Sequence, residues 1–387
     1  MPVVAFELDS TQQQLRDTVR RFVEAEVAPR VVAYNREGAV PKDLVDQLIA
    51  LGLVGGVVPS TYGGSDMDHV TWCLCVEELA RYCTSLAAIV GYPSSLAGQG
   101  LLGWGTDEQK RRFLTPLASG ECYAATAITE PGVGSDAAAL RTTATASDGG
   151  FLVSGQKTWI SNANTCRWML LFATVDRDAG REGVTAFIVD RESPGLTTRP
   201  LEHKLSNKAS DTGEVYLDDV FVEHDRVLGE VGGGWPVLLA SVNAGRLHVA
   251  ARSVGIAQGC LDLSVAYAKE RETFGQAIAK HQLVSASLAE MSVKVETARL
   301  AVWRAARELD GDGVPGPYWP SVAKLHAGRV AMEVSHAAVQ LHGAYGLSDE
   351  YHVERHFREA KMQEIVDGTN EIQQLIIARE RLRGAGG

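Results

Sequence analysis

Apolar residues recur at helical spacing over both ends of this chain and lose that spacing in the middle, so a single-class fold is excluded. Between about Thr11 and Leu117 the pattern is helical: Leu15, Val19, Phe22, Val23 and Val27 share one face. Residues 43–49 and 68–79 repeat it, with Pro and Gly between. Around Cys122 short segments rich in Val, Thr, Phe and Ile take over, at 123–129, 142–146, 151–154, 169–174, 185–189 and 214–220. Turn formers such as Asp148-Gly149-Gly150 separate them, as in hairpins. Beyond Pro236 long helical periodicity returns at 247–271, 281–309 and 319–343, with 310–317 as a turn-rich connector. The expected fold is mainly α with an inserted antiparallel β domain. It comprises an N-terminal helical domain (1–120), a β-barrel-like middle domain (121–235) and a C-terminal four-helix bundle (236–387).

Composition narrows the function. Hydrophobic residues at 45% and charged residues at 22% of 387 are the balance of an ordinary globular protein. A formal net charge of −11 argues against binding nucleic acid or an anionic membrane, which needs clustered Lys and Arg. The six cysteines are scattered, with no CxxC pair, which fits a reducing compartment. The N-terminal segment lacks a basic stretch followed by an apolar one, and no apolar run reaches membrane-spanning length. A cytoplasmic location is expected.

Four segments carry chemistry, and each has a plainer structural reading. The Gly132-Val133-Gly134-Ser135 turn offers backbone N–H groups and a hydroxyl to an anionic or heteroaromatic ligand, or is simply a tight turn. Its spacing is not GxGxxG, so a Rossmann unit is excluded. Trp159 and Ser161, at alternating positions, put a ring and a hydroxyl on one face; the alternative is a core Trp in a hairpin. Arg271 at a helix end suits a diphosphate, or complements the helix dipole. Asp367, before Gly368 between two helices, is a base or a cap. His352 and His356 share the i,i+4 spacing of some metal ligands. They lack HExxH context and a third ligand, so no metal is expected and a solvated, charged helix is.

Taken in order, these segments resemble the acyl-CoA dehydrogenase family across essentially the whole chain, most strongly over 127–162 and 243–379. Further matches are Ser210-Asp211-Thr212 before 218–222, Ala257-Gln258, Lys280-His281-Gln282 before 288–291, and 339–343. The resemblance implies FAD bound between subunits of a homotetramer built as a pair of dimers. By matching position, Ile128 (through its backbone), Thr129, Ser135, Trp159 and Ser161 would hold the isoalloxazine and nearby phosphate. Arg271, Thr273, Phe274, Gln282, Gln340 and Gly343 would reach the nucleotide part of FAD in a neighbouring subunit. Thr369 and Glu371 match the remaining flavin contacts, although the family often has Gln at the latter. Ser135, Val366, Gly368 and Arg246 would approach the substrate, an acyl-CoA or acyl-carrier-protein thioester. Electrons would pass to an electron-transfer flavoprotein or a similar acceptor.

The resemblance also implies a mechanism: a carboxylate removes the α-proton while hydride leaves Cβ for flavin N5. Removing so weak an acid needs a placed base and stabilisation of enolate character at the carbonyl. The family's base is a Glu before Gly-Thr, where this chain has Asp367, a side chain shorter by roughly 1.5 Å. Some members carry the base on an earlier helix, just before an Arg matching Arg246, but that position is Gly245 here. Asp367 is therefore the expected catalytic base, with Arg246 tuning it. Two alternatives stay open: a nitroalkane oxidase-like enzyme that uses Asp367 as base, and a catalytically weak flavin-holding or carrier-binding scaffold.

Overall fold

A computed structural model describes residues 7–311 and 316–384. Part of the expected connector, 312–315, lies outside the described residues. The first helices are α1 (Ser10–Phe22), α2 (Val31–Glu37), α3 (Lys42–Ala50), α4 (His69–Ala80), α5 (Thr84–Ser94) and α6 (Leu96–Trp104). One more helix follows, made of α7 (Asp107–Gln109) and α8 (Thr115–Ala118) joined without a break by a π-helical stretch at Lys110–Leu114. Aspartates start α1 and α4: Asp9 forms a capping box with Gln12 on α1, and Asp68 accepts from Thr71 N at 2.6 Å on α4.

The middle block is a mixed sheet of β1 (Ala124–Ala127), β2 (Thr143–Ser147), β3 (Gly150–Ser161), β4 (Trp168–Thr174), β5 (Val184–Asp190), β6 (Leu196–Pro200), β7 (Thr212–Glu223) and β8 (Val227–Leu228). The strand order is β6-β7-β3-β2-β4-β5-β8, with β1 beside β4. The expected antiparallel pairing holds along most of this path, but β1 and β2 both pair with β4 in parallel. The excursion through β2 and β3 returns the chain to the end where β1 began, pairing Ala124 with Trp168. Side-chain alternation carries no information about strand direction, so the sequence did not reveal this. All of β4 is buried. Trp168, Leu170 and Phe172 pack with Leu101, Phe113 and Val237 on the helical side, while Met169, Leu171 and Ala173 pack with Val153, Phe187 and Val215 on the other. That second cluster draws on β3, β4, β5 and β7, so the sheet curls over its own core as a barrel does.

The chain then forms α9 (Gly234–Glu270), a hairpin of β9 (Glu272–Thr273) and β10 (Gln276–Ala277), α10 (Gln282–Leu309), α11 (Tyr318–His342), α12 (Val353–Gln363) and α13 (Asn370–Leu382). Helices α9 to α12 form the bundle, with α13 against α11. Helix α9 spans 37 residues and is apolar around much of its circumference, the mark of a helix surrounded by protein. Glycines let α4 approach it: a Cβ on Gly255 or Gly259 would stand 2.3 Å from the carbonyl oxygen of Glu77 or Arg81. One apolar core runs from Val19, Trp72 and Leu79 through Leu247 and Val254 to Val295 and Val334. Among the described residues no helix is long and apolar enough to cross a membrane.

A buried ion pair ties β3 to the Gly132–Gly134 turn. Lys157, fully enclosed, donates to Glu130 Oε1 (2.9 Å) and to the Ile128 carbonyl (3.1 Å). Glu130 also accepts from Thr142 N (2.9 Å), Thr142 Oγ1 (2.7 Å) and Arg141 N (2.7 Å). Burial pushes the Lys157 ammonium down to about 8 against the pull of Glu130. Burial opposes ionisation of Glu130 as well, but Lys157 and the Thr142 donors outweigh it and hold the carboxyl below its ordinary value. Glu130→Ala leaves a buried ammonium unpaired and is expected to cost about 3–5 kcal/mol in urea unfolding. Glu130→Leu with Lys157→Met should recover most of that loss; a double variant as unstable as the single one would contradict this account.

Candidate active site

Between α12 and α13 the backbone turns sharply, with Asp367 at φ +52° and Gly368 at φ +92°. Asp is among the few residues that adopt this conformation without a large penalty. The φ of Gly368 would strain any other residue, and a Cβ there would stand 2.7 Å from Gln373 Nε2. Asn370 N donates to the Glu364 carbonyl (2.9 Å), Gln373 Nε2 to that of Gly368 (2.8 Å), and Arg246 Nε to that of Asp367 (3.4 Å). The residue that caps α13 is Thr369, whose hydroxyl accepts from Ile372 N at 3.4 Å. Among the described residues the Asp367 carboxylate accepts no hydrogen bond, and its backbone N–H donates none. The cap alternative for Asp367 therefore falls.

Asp367 is half-buried in the turn between α12 and α13. Its Oδ2 lies 2.6 Å from where a Cβ on Gly245 would be. Burial pushes the carboxyl above its ordinary value, and the cations of Arg252, Lys324 and Arg246 oppose that rise, in that order. Arg246 is 5% exposed and bonds Asn243 Oδ1 at 2.6 Å, so it is not a surface ion pair. Burial pushes Arg246 down to about 10 and Lys324 down to about 8. Lys324 Nζ lies 3.3 Å from Asn370 Oδ1. Sequence reading missed Lys324 and Arg252. The available signal was a charge inside a buried stripe: Lys324 continues the small-residue row of Gly328, Ala331, Ser335 and Ala338 on α11. Val366, next to the carboxylate in sequence, is half-buried.

The other expected site residues form two groups. In the first, the Ile128 and Thr129 carbonyls are held by Lys157 Nζ and by Thr158 N (2.9 Å), and Ser135 is exposed on the glycine turn. Trp159 is 62% exposed at φ +59°, where the β3–β7 register shifts; Ile160 is buried behind it and Ser161 half-buried. Nothing lies within 4 Å of a Cβ on Gly132 or Gly134. An indole held out of the core beside an open glycine turn fits a flat ring system with a phosphate near it.

The second group gathers at one end of the bundle. Phe274 is 97% exposed at φ +50° in the β9–β10 hairpin, and Thr273 Oγ1 lies 3.1 Å from His281 Nε2. Arg271 stands over the Tyr345 ring (5.7 Å), and Gln282, Gln340 and Gly343 are exposed nearby in the chain. Among the described residues no hydrogen bond, ion pair or ring contact joins the two groups. Glu371 is exposed in the first turn of α13, where its own backbone N–H and the Thr369 hydroxyl hold it below its ordinary value. His356 is fully buried, unlike the solvated helix face expected, because that side of α12 packs inward with Glu359 and Gln363. Among the described residues no group of three or more His, Cys, Asp or Glu is placed to hold a metal.

The chain matches the acyl-CoA dehydrogenase N-terminal domain over residues 9–121, the middle domain over 125–220 and the C-terminal domain over 232–382. It is 37% identical to the mitochondrial short-chain specific acyl-CoA dehydrogenase of Bos taurus over 377 residues, covering 97% of this chain and 91% of that one. It is also 37% identical to the caffeyl-CoA reductase-Etf complex subunit CarC of Acetobacterium woodii, covering 95% and 97%. The butyryl-CoA dehydrogenase structure from Megasphaera elsdenii superposes with a TM-score of 0.94 at 36% identity, covering 98% and 100%. The chain belongs to the acyl-CoA dehydrogenase family and is an FAD-dependent oxidoreductase.

Proposed function

We propose that this enzyme oxidises the Cα–Cβ bond of an acyl thioester, with Asp367 taking the α-proton. The observation that carries the reading is the carboxylate of half-buried Asp367, free of hydrogen bonds among the described residues and acted on by the charges of Arg252, Lys324 and Arg246. Burial raises the basicity of a carboxylate so placed, and the nearby positive charges favour its ionised form. Among the described residues the Asp367 N–H has no acceptor, and it is available to the thioester carbonyl, where enolate charge develops. Arg246, bonded to the Asp367 carbonyl, fixes the turn that aims both groups. Bound FAD supplies the acceptor for the hydride that leaves Cβ. Ile128, Thr129, Ser135, Trp159, Ser161, Thr369 and Glu371 hold its ring end. The exposed group at Arg271, Thr273, Phe274, Gln282, Gln340 and Gly343 serves the FAD of a neighbouring subunit in a homotetramer. An electron-transfer flavoprotein is the proposed acceptor, supported by the relative named as part of an Etf complex.

Gly245 accounts for the use of an Asp. A Cβ there would stand 2.6 Å from the carboxylate oxygen, so a side chain at 245 would require the carboxylate to shift. The left-handed backbone at Asp367 and the missing Cβ at Gly245 together seat the shorter acid.

Anaerobic mixing of the purified holoenzyme with a panel of acyl-CoA thioesters is expected to bleach the flavin band. Asp367→Asn should slow that bleaching about 10²- to 10⁴-fold with FAD still bound; an unchanged rate would remove Asp367 as the base. Failure of every thioester, with peroxide formed in air from a nitroalkane, would favour the nitroalkane oxidase reading.

The pH profile has a defined sign. Asp367 must be ionised to act and its pKa is raised by burial, so kcat/KM should fall as pH drops through a value above the ordinary Asp range of about 4. That limb should move in Asp367→Glu. A limb that stays in place belongs to another group.

Gly245→Ala is expected to reduce the rate by about 10²-fold by displacing the carboxylate, with FAD content unchanged. Wild-type turnover in this variant would show that the close approach is not needed.

A further inference from the structure

Five arginines are buried among the described residues: Arg81, Arg226, Arg246, Arg252 and Arg355. Four have hydrogen-bond partners. Arg81 reaches Glu78, Arg226 reaches Asp190, Arg246 reaches Asn243, and Arg355 reaches the Tyr82 carbonyl. Arg252 is the exception. It is 5% exposed, its Nε and Nη2 are enclosed without a partner, and it forms no ion pair. A guanidinium cannot shed its charge to escape burial, so an enclosed and unanswered one is costly unless something else supplies the acceptor.

Its position indicates what that acceptor is. Arg252 follows Gly245 by seven residues on α9, two turns along nearly the same face and roughly 10 Å further along the axis. Gly245 is where the Asp367 carboxylate rests, and helical side chains lean towards the N-terminus, so the guanidinium reaches back towards the base. Arg252 is the strongest cationic influence on Asp367, and Tyr92 of α5 is its own leading electrostatic neighbour, ahead of Glu359 and Asp367. Glu359 does not neutralise it: one carboxylate oxygen takes the Thr84 hydroxyl at 2.5 Å, and the other is enclosed without a partner.

Building on the function proposed above, we infer that Arg252 is a specificity residue that receives an oxygen acceptor, foremost a carboxylate, on the acyl chain beyond the reacting bond. The favoured substrate is then an acyl thioester with an oxygenated far end rather than a plain alkyl chain. The planar fork of an arginine suits two-point recognition of such a group.

Binding to the FAD-loaded enzyme tests this with CoA thioethers, which cannot be oxidised, matched in length and ending in methyl, ketone or carboxylate. Titration calorimetry on the wild type should show the carboxylate or the ketone bound about tenfold to a hundredfold tighter than the methyl. Arg252→Met should remove that preference, Arg252→Lys should keep part of it, and FAD content should be unchanged in both. Equal or tighter binding of the methyl-ended thioether by the wild type overturns the inference and needs no variant that might misfold. The same ranking in Arg252→Met as in the wild type also overturns it. Neither result touches the role of Asp367, which is read separately from flavin bleaching by oxidisable thioesters.

Discussion

Enclosure of α9 is the constraint on which the rest of the structure depends. A helix of 37 residues packed against α4, α6, α10, α11 and α12 must take its polar side chains into the interior. Arg246, His248 and Arg252 are buried for this reason. Each has a different answer to its burial. Arg246 is bonded to Asn243 and to the Asp367 carbonyl. His248 is pushed down to about 3 by burial, stays neutral and faces the Ala87 carbonyl at 3.1 Å. Arg252 has no hydrogen-bond or ion-pair partner among the described residues. The helix that unites the core therefore also supplies two of the three positive charges that act on Asp367, the third being Lys324 of α11.

The β domain uses irregularity in a comparable way. Strand alternation sends Trp168, Leu170 and Phe172 to one core and Met169 and Leu171 to the other, fixing the sheet between two apolar layers. Where β3 shifts register against β7, Trp159 leaves the core at a positive φ that a regular strand would not allow. The Glu130–Lys157 pair lies directly behind this point and holds the glycine turn beside it. A rigid, dry anchor thus stands behind a face that is open to a ligand.

Two backbone features accompany the acidic residue at position 367. Asp tolerates the left-handed conformation found there, and Gly245 leaves the volume its carboxylate fills. The short acidic side chain at 367 thus rests in a local geometry that receives it.

The sequence alone determined the order of helical, β and helical blocks, because apolar periodicities of about 3.6 and 2 are local properties of the chain. It also determined the family, because the matching segments stand in register along nearly the whole length. It did not determine that β1 and β2 run parallel to β4, since alternation is blind to strand direction. It missed the short edge strand β6, in which only Leu196 is buried. Lys324 and Arg252 escaped notice because a charge in a helix has no fixed cost until neighbouring helices close over it. The convergence of Arg246, Arg252, Lys324 and Asp367 from α9, α11 and the turn before α13 was decided only by tertiary structure. Burial and the distance between charges are properties of packing, and no local pattern in the chain encodes them.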